Sequence, residues 1–221
     1  MQYLYHKQSG EESLLLKGDE HRYIFKVRRH REGEIIGLRN LKDDKLYSYK
    51  IDSMSRKEAL LVLKKSKSLL IRAKKRLHIG WCIIEPKNIE KILPTLNEMG
   101  VDKISFIICS RSQKNFKIDY KRLERIVLNS SQQCGRSELM RLELIDSLEE
   151  FLNQNPNAVA LNFSNNFLGE DISIDTIVVG CEGGFTEKEI ELFRDSVVGL
   201  DSPLILKSES AICAVTAKIL L

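Results

Sequence analysis

The sequence predicts a two-part chain: a small β-rich module over residues 1–75, then an α/β domain over residues 76–221. Three observations predict it. Short apolar runs broken by turn residues fill the first third. From about residue 76, apolar strands alternate with segments of helical periodicity, the pattern of a parallel sheet covered by helices. The charge divides at the same place. Residues 1–78 carry 20 Lys+Arg against 10 Asp+Glu, whereas residues 79–221 carry 15 against 21. A basic module joined to an acidic remainder fits a polyanion-binding unit attached to something different.

In the module, Leu14–Leu16, Glu34–Leu38, Leu46–Ile51 and Ala59–Leu63 each suit a strand of about five residues. Gly18-Asp19, Glu32-Gly33 and Lys42-Asp43-Asp44 punctuate them as turns. His21–Val27 reads as a helical turn, and Lys64–Lys75 as a basic strand or connector leading out.

In the second part, His78–Ile84 reads as a strand. Pro86–Met99 places Ile89, Ile92, Leu93 and Leu96 on one helical face, with Pro94 expected to kink the helix and Gly100 to stop it. Lys103–Cys109 is the next strand and Asp119–Cys134 the next helix. Leu139–Leu144 follows as a strand, and Ser147–Asn153 as a helix capped by Ser147. Ala158–Phe163 and Thr176–Val179 read as strands, Glu187–Val197 as a helix, Pro203–Leu206 as a buried strand, and Glu209–Leu220 as a final helix.

Composition excludes several classes. Apolar residues make up 43% and charged residues 30%, which suits a packed core under a solvated surface. No run of about 18 apolar residues suggests a membrane span. The opening MQYLYHKQSGEE lacks a signal-peptide pattern, so a cytoplasmic location is expected. The five cysteines are scattered without a CxxC pair, and are expected as buried thiols without a disulfide framework. Neither they nor the four histidines show metal-ligand spacing, so no metal is expected.

The most informative stretch is Ile177–Glu189, IVVGCEGGFTEKE. An apolar strand runs into Gly180, Gly183 and Gly184, and a helix starts directly after, with Thr186 and Glu189 at capping-box spacing. Glycines there admit a ligand close to the backbone, although a tight turn without a ligand has the same composition. Neither GxGxxG nor GxxxxGK[ST] is present. Pro203–Ala211, PLILKSESA, and Ala160–Phe163, ALNF, are two further strand ends closed by polar residues. If these three ends are neighbours, they form one pocket.

GCEGGFTEKE resembles the GPEGGFS-x-x-E motif of the SPOUT-class 16S ribosomal RNA uridine-N3 methyltransferases. PLILKSESA resembles that family's PRILR-x-ETA. Glu98–Val101 is similar to its ELGV, Arg111-Ser112 to its RS, Gln133–Arg136 to its QSGR, and His21–Arg29 to its HHL-x-x-VLR. The matches keep the family's order over nearly the whole chain. Cys181, Leu204, Lys207, Ser210 and Gln132 stand where the family has Pro, Arg, Arg, Thr and Glu.

The resemblance implies an N-terminal PUA-like β-barrel that binds RNA and a C-terminal SPOUT α/β domain with a deep trefoil knot. It implies S-adenosylmethionine as cofactor, held by Leu161, Asn162, Gly180, Glu182, Gly183, Gly184, Ile205, Leu206, Ser208, Glu209 and Ala211. It also implies 16S ribosomal RNA or the small ribosomal subunit as partner, and a homodimer. RNA contacts are expected from His21, Arg22, Lys26, Arg28, Arg29 and Arg111. Methyl transfer to uridine N3 leaves charge to be stabilised on the base, and Arg136 is the expected cation. Two alternatives stay open: ribose 2′-O-methylation by the same kind of domain, and an RNA-binding assembly factor without catalysis.

Overall fold

The computed structural model describes residues 2–113, 117–169 and 173–221. The chain divides into two compact units. One comprises the residues up to Arg72 together with Ser131–Glu138, and the other comprises Ala73–Ser130 with Leu139–Leu221.

The first unit contains β1 (Leu4–Tyr5), β2 (Ser13–Lys17), α1 (Gly18–Arg22), a π-helical turn (Tyr23–Val27), β3 (Ile35–Arg39), β4 (Lys45–Met54) and β5 (Glu58–Ser68). The strands form one curled sheet in the order β1-β3-β4-β5-β2. Alternation sets its inner face: Leu14 and Leu16 on β2, Ile36 and Leu38 on β3, and Tyr47, Tyr49 and Ile51 on β4 are buried in one core with Ile24 and Leu61. β4 and β5 are longer than their apolar runs suggest. Ser48 pairs with Lys65 but Tyr49 pairs with Leu63, so Lys64 is an extra residue that bends the ladder. The segment from Lys64, expected as a strand or connector, is therefore strand as far as Ser68.

Ser131–Glu138 belongs to this unit although it lies far along the chain. The Gln132 carbonyl accepts from the Gln2 and Tyr3 N–H groups at 3.0 and 3.4 Å, and its side-chain oxygen accepts from Tyr5 N at 2.7 Å. The Tyr3 hydroxyl donates to the Arg136 carbonyl at 2.8 Å, and Ile71 and Ser137 exchange backbone and hydroxyl bonds. This departs from an uninterrupted second domain. The N-terminal strand needs partners on its free side, and the segment at the end of the third helix supplies them.

The second unit contains β6 (His78–Cys82), α2 (Pro86–Met99), β7 (Lys103–Ile107), α3 (Tyr120–Cys134, its last residues in the first unit), β8 (Arg141–Ile145) and α4 (Leu148–Gln154). It continues through β9 (Val159–Leu161), β10 (Thr176–Val179), α5 (Glu187–Glu191), β11 (Val197–Val198) and α6 (Ser208–Leu220). The sheet is parallel throughout, in the order β11-β9-β10-β6-β7-β8. Trp81, Phe106, Phe151 and the strand Ile and Val residues fill its core. α2 runs through Pro94 without interruption and ends at Gly100, whose φ of 100° closes it.

Three expectations are corrected here. The helix expected over Glu187–Val197 stops at Glu191, because Arg194 takes φ 52° and redirects the chain into β11. Pro203–Leu206 is not a buried strand: Leu204 and Ile205 are 74% and 80% exposed. The sheet already ends at β11, and local turn bonds to Leu200 O and Ser202 Oγ hold this segment. Finally, Cys82 and Cys109 are not separate thiols but are disulfide-bonded. They sit at the ends of adjacent strands, a proximity that spacing along the chain conceals.

Candidate functional site

The parallel order places β9 and β10 side by side, with β11 on the far side of β9, so the segments leaving their carboxyl ends converge. They line an open cavity of about 870 Å³. Leu161, Asn162 and Phe163 enter from β9, Gly180–Phe185 from β10, and Gly199–Leu206 with Ser208 and Ala211 from the approach to α6. Every residue expected to hold the cofactor lines this cavity except Glu209. Glu209 has one buried carboxylate oxygen without a hydrogen-bond partner among the described residues.

The glycine turn is held from several sides. Gly184 N donates to Cys181 O at 2.9 Å, and Gly184 has φ 65°, a conformation that favours glycine. A Cβ on Gly183 would come within 3.2 Å of the Arg111 stem. Arg111 donates from Nη1 to the Gly183 and Phe185 carbonyls at 2.6 and 2.9 Å. Below the turn, the Thr186 hydroxyl accepts from Glu189 N while the Glu189 carboxylate accepts from Thr186 N, the capping box its spacing predicts. The other Glu189 oxygen accepts from Ser110 N at 2.8 Å. Burial raises the Glu189 pKa, but these backbone donors outweigh it and hold the carboxyl below its ordinary value.

Ser208 fastens the start of α6 to β10: its hydroxyl accepts from Trp81 Nε1 at 2.9 Å and donates to Gly180 O at 2.5 Å. Gly199 joins the loops after β9 and β11. Its N–H donates to Asn166 O, its carbonyl accepts from Leu168 N, and a Cβ there would collide with the Ser164 carbonyl. Sequence reasoning missed Trp81 and Gly199. Trp81 had a signal, since a sole tryptophan inside an apolar strand requires an acceptor for its N–H.

The RNA methyltransferase domain family matches residues 72–220, and the RNA methyltransferase PUA domain matches residues 16–64. The chain is 38% identical over 224 residues to ribosomal RNA small subunit methyltransferase E of Helicobacter pylori, covering 99% of each. The chain belongs to the ribosomal RNA small subunit methyltransferase E family. The Aquifex aeolicus member of this family is 23% identical over 229 residues, with 98% of each chain covered. The Neisseria gonorrhoeae methyltransferase E, solved bound to S-adenosylmethionine, shares the fold at a TM-score of 0.83 and 21% identity, covering 98% of this chain and 95% of that one.

Family membership accounts for the mixed α/β architecture with an N-terminal PUA domain. The remaining expected residues lie outside the cavity, apart from Arg111, which reaches its turn. Arg22, Lys26, Arg28 and Arg29 are exposed on α1 and the turns after it. Arg28 leans on Tyr23, its guanidinium 5.2 Å from the ring centroid and 2.8 Å from the hydroxyl. His21 is buried, with Nε2 3.1 Å from Ser55 O and its ring against Phe25. Arg136 is buried in the first unit. Among the described residues no His/Cys/Asp/Glu cluster could hold a metal, and no helix is long and apolar enough to cross a membrane.

Proposed function

We propose that this protein methylates N3 of a uridine in 16S ribosomal RNA of the small subunit, using S-adenosylmethionine bound in the cavity between β9, β10 and α6. The observation that carries this reading is the convergence of three strand-end segments on one cavity, with a glycine turn whose backbone a ligand can approach. Its volume lies in the usual range for small-molecule sites, roughly 300–1,000 Å³. The names of the Helicobacter and Aquifex relatives and the cofactor in the Neisseria structure support the same reaction class. Family resemblance supports the N3 position, a trefoil knot formed by these loops, and a cytoplasmic site of action.

Bound S-adenosylmethionine would supply an electrophilic methyl group. The protein's own contribution is placement. The Gly180–Gly184 turn gives close backbone approach, and Leu161, Asn162, Leu206 and Ala211 add a mostly apolar part of the lining. N3 lies on the pairing edge of uracil, so the base must be unpaired before it can be presented. Its proton leaves at or before transfer, and a nearby cation would lower the cost of the resulting anion. Arg136 keeps that assignment only if Arg136→Lys lowers kcat while RNA affinity and the melting temperature hold. The apolar residues exposed at Leu204, Ile205 and Leu221 support a homodimer built on this unit, which light scattering at micromolar concentration tests.

The deciding experiment is mass spectrometry of nucleosides from 16S RNA of cells with and without the gene. Loss of 3-methyluridine is expected. Loss of a 2′-O-methylated nucleoside would replace the reading, and no change, with no cofactor binding by calorimetry, would overturn it.

A further inference from the structure

We propose that Arg111 is a positioning residue for the cofactor turn and not a contact for RNA phosphate. The proposal rests on reading the β9–β10–α6 cavity as the S-adenosylmethionine site. The family resemblance suggested RNA for this arginine, and its exposure agrees with a phosphate ligand. Its hydrogen bonds point elsewhere. Nη1 is committed at 2.6 Å to the Gly183 carbonyl and at 2.9 Å to the Phe185 carbonyl. These carbonyls flank Gly184, the residue at φ 65° on which the turn pivots.

The turn needs such a brace. Gly183 and Gly184 impose little backbone preference of their own, so the arrangement a ligand meets must be fixed from outside. A guanidinium suits this role because it is planar, always charged, and offers several N–H donors from a preset frame. Its stem contributes as well, because Cβ and Cδ of Arg111 occupy the space that a Gly183 side chain would enter.

The brace is itself anchored. Arg111 lies in the tight turn after β7, where Ser112 N donates to Cys109 O at 3.0 Å and Cys109 N donates to Ser112 Oγ at 3.2 Å. The Cys82–Cys109 bond fixes the start of that turn to β6, the strand next to β10. Ser110 N meets Glu189, which caps the helix after the glycine turn. Three consecutive residues thus tie the β7 turn to its neighbours, and of these Arg111 reaches the glycines.

The test uses the full-length protein with S-adenosylmethionine and its demethylated product, measured by calorimetry, and a 16S RNA fragment, measured by anisotropy. Arg111→Ala is expected to weaken both small ligands about tenfold to a hundredfold, the loss of two charge-assisted bonds that order the turn. It should raise KM for the cofactor, leave kcat at saturating cofactor within about twofold, and leave RNA affinity unchanged. Arg111→Lys should recover part of the cofactor affinity, since an ammonium can donate to both carbonyls without the planar frame. If Arg111→Ala does not fold, Arg111→Gln, which keeps two N–H donors, takes its place with the same expected split. RNA affinity falling while cofactor affinity holds would overturn the proposal in favour of a phosphate contact. Unchanged affinities for both would overturn it outright. A wild-type protein that binds neither small ligand would instead refute the cavity reading.

Discussion

The indole N–H of Trp81 ends 2.9 Å from the hydroxyl of Ser208, 127 residues later in the chain. Both side chains are buried, and the Ser208 hydroxyl donates its own hydrogen bond to the Gly180 carbonyl. Ser208→Ala therefore leaves a buried indole donor and a strand-end carbonyl without partners. A loss of about 1–3 kcal/mol is expected, seen as a melting temperature lowered by several degrees. Cofactor affinity should fall as well, because Gly180 and Ser208 both line the cavity. A variant that melts as the wild type does would show that these bonds carry no net stability.

Glu189 serves two partners at once, Thr186 below the glycine turn and Ser110 beyond it. Its pKa is held below the ordinary 4.5 in the folded protein, so its contribution is complete above that value and is lost as the pH falls through the lowered one. Glu189→Gln should cost about 1–2 kcal/mol at pH 7 through the weakened cap. Its stability should also fall less steeply than the wild type's below pH 4.5. Chemical denaturation at neutral pH and at mildly and strongly acidic pH separates the two effects.

His78 gives a second pH signature at the opposite ends of the strands. Its Nε2 lies 2.7 Å from Ser105 Oγ, and that hydroxyl donates to Glu143 at 2.5 Å. The serine proton is thus directed at the carboxylate, and the imidazole supplies the N–H to the serine. Burial, then Lys103, push the His78 pKa down from 6.5 to about 4. The unfolded chain consequently binds more protons between these values, and stability decreases as the pH falls from about 6.5 to about 4. His78→Gln should flatten that part of the stability curve. An identical slope in the variant would exclude His78 as its source.

The exposed cations Arg22, Lys26, Arg28 and Arg29 give the prediction for RNA. Arg28→Ala with Arg29→Ala should weaken binding to ribosomal RNA fragments and reduce the salt slope by about two, one per phosphate contact removed. Cofactor affinity should be unchanged. Unaltered RNA affinity at two salt concentrations would remove this face from the RNA interface.

What could be read in advance divides by the range of the interaction. The β/α alternation, the stop at Gly100, the Ser147 cap and the Thr186–Glu189 box are set by neighbours within a few residues, and periodicity carries them. The cavity was legible only as a condition, since β9 and β10 could form one pocket only if they paired. β11 was invisible because Val197–Val198 is two residues long and gives no period. Pro203–Leu206 misled because an apolar run implies burial, whereas these side chains stand open at a cavity. The Cys82–Cys109 bond and the Arg111 brace depend on which strands are adjacent, which local pattern does not encode.

The membership of Ser131–Glu138 in the first unit bears on the order in which the protein is made. When residues 1–72 have emerged from the ribosome, the curled sheet has all its strands. The backbone N–H groups of Gln2, Tyr3 and Tyr5 still lack the acceptors on Gln132 that they use in the finished fold. Those acceptors arrive about sixty residues later, after β6, α2 and β7 have been synthesised. The N-terminal unit therefore completes itself only when the end of the third helix is available. A fragment cut at residue 72 keeps every strand of the curled sheet but lacks these acceptors.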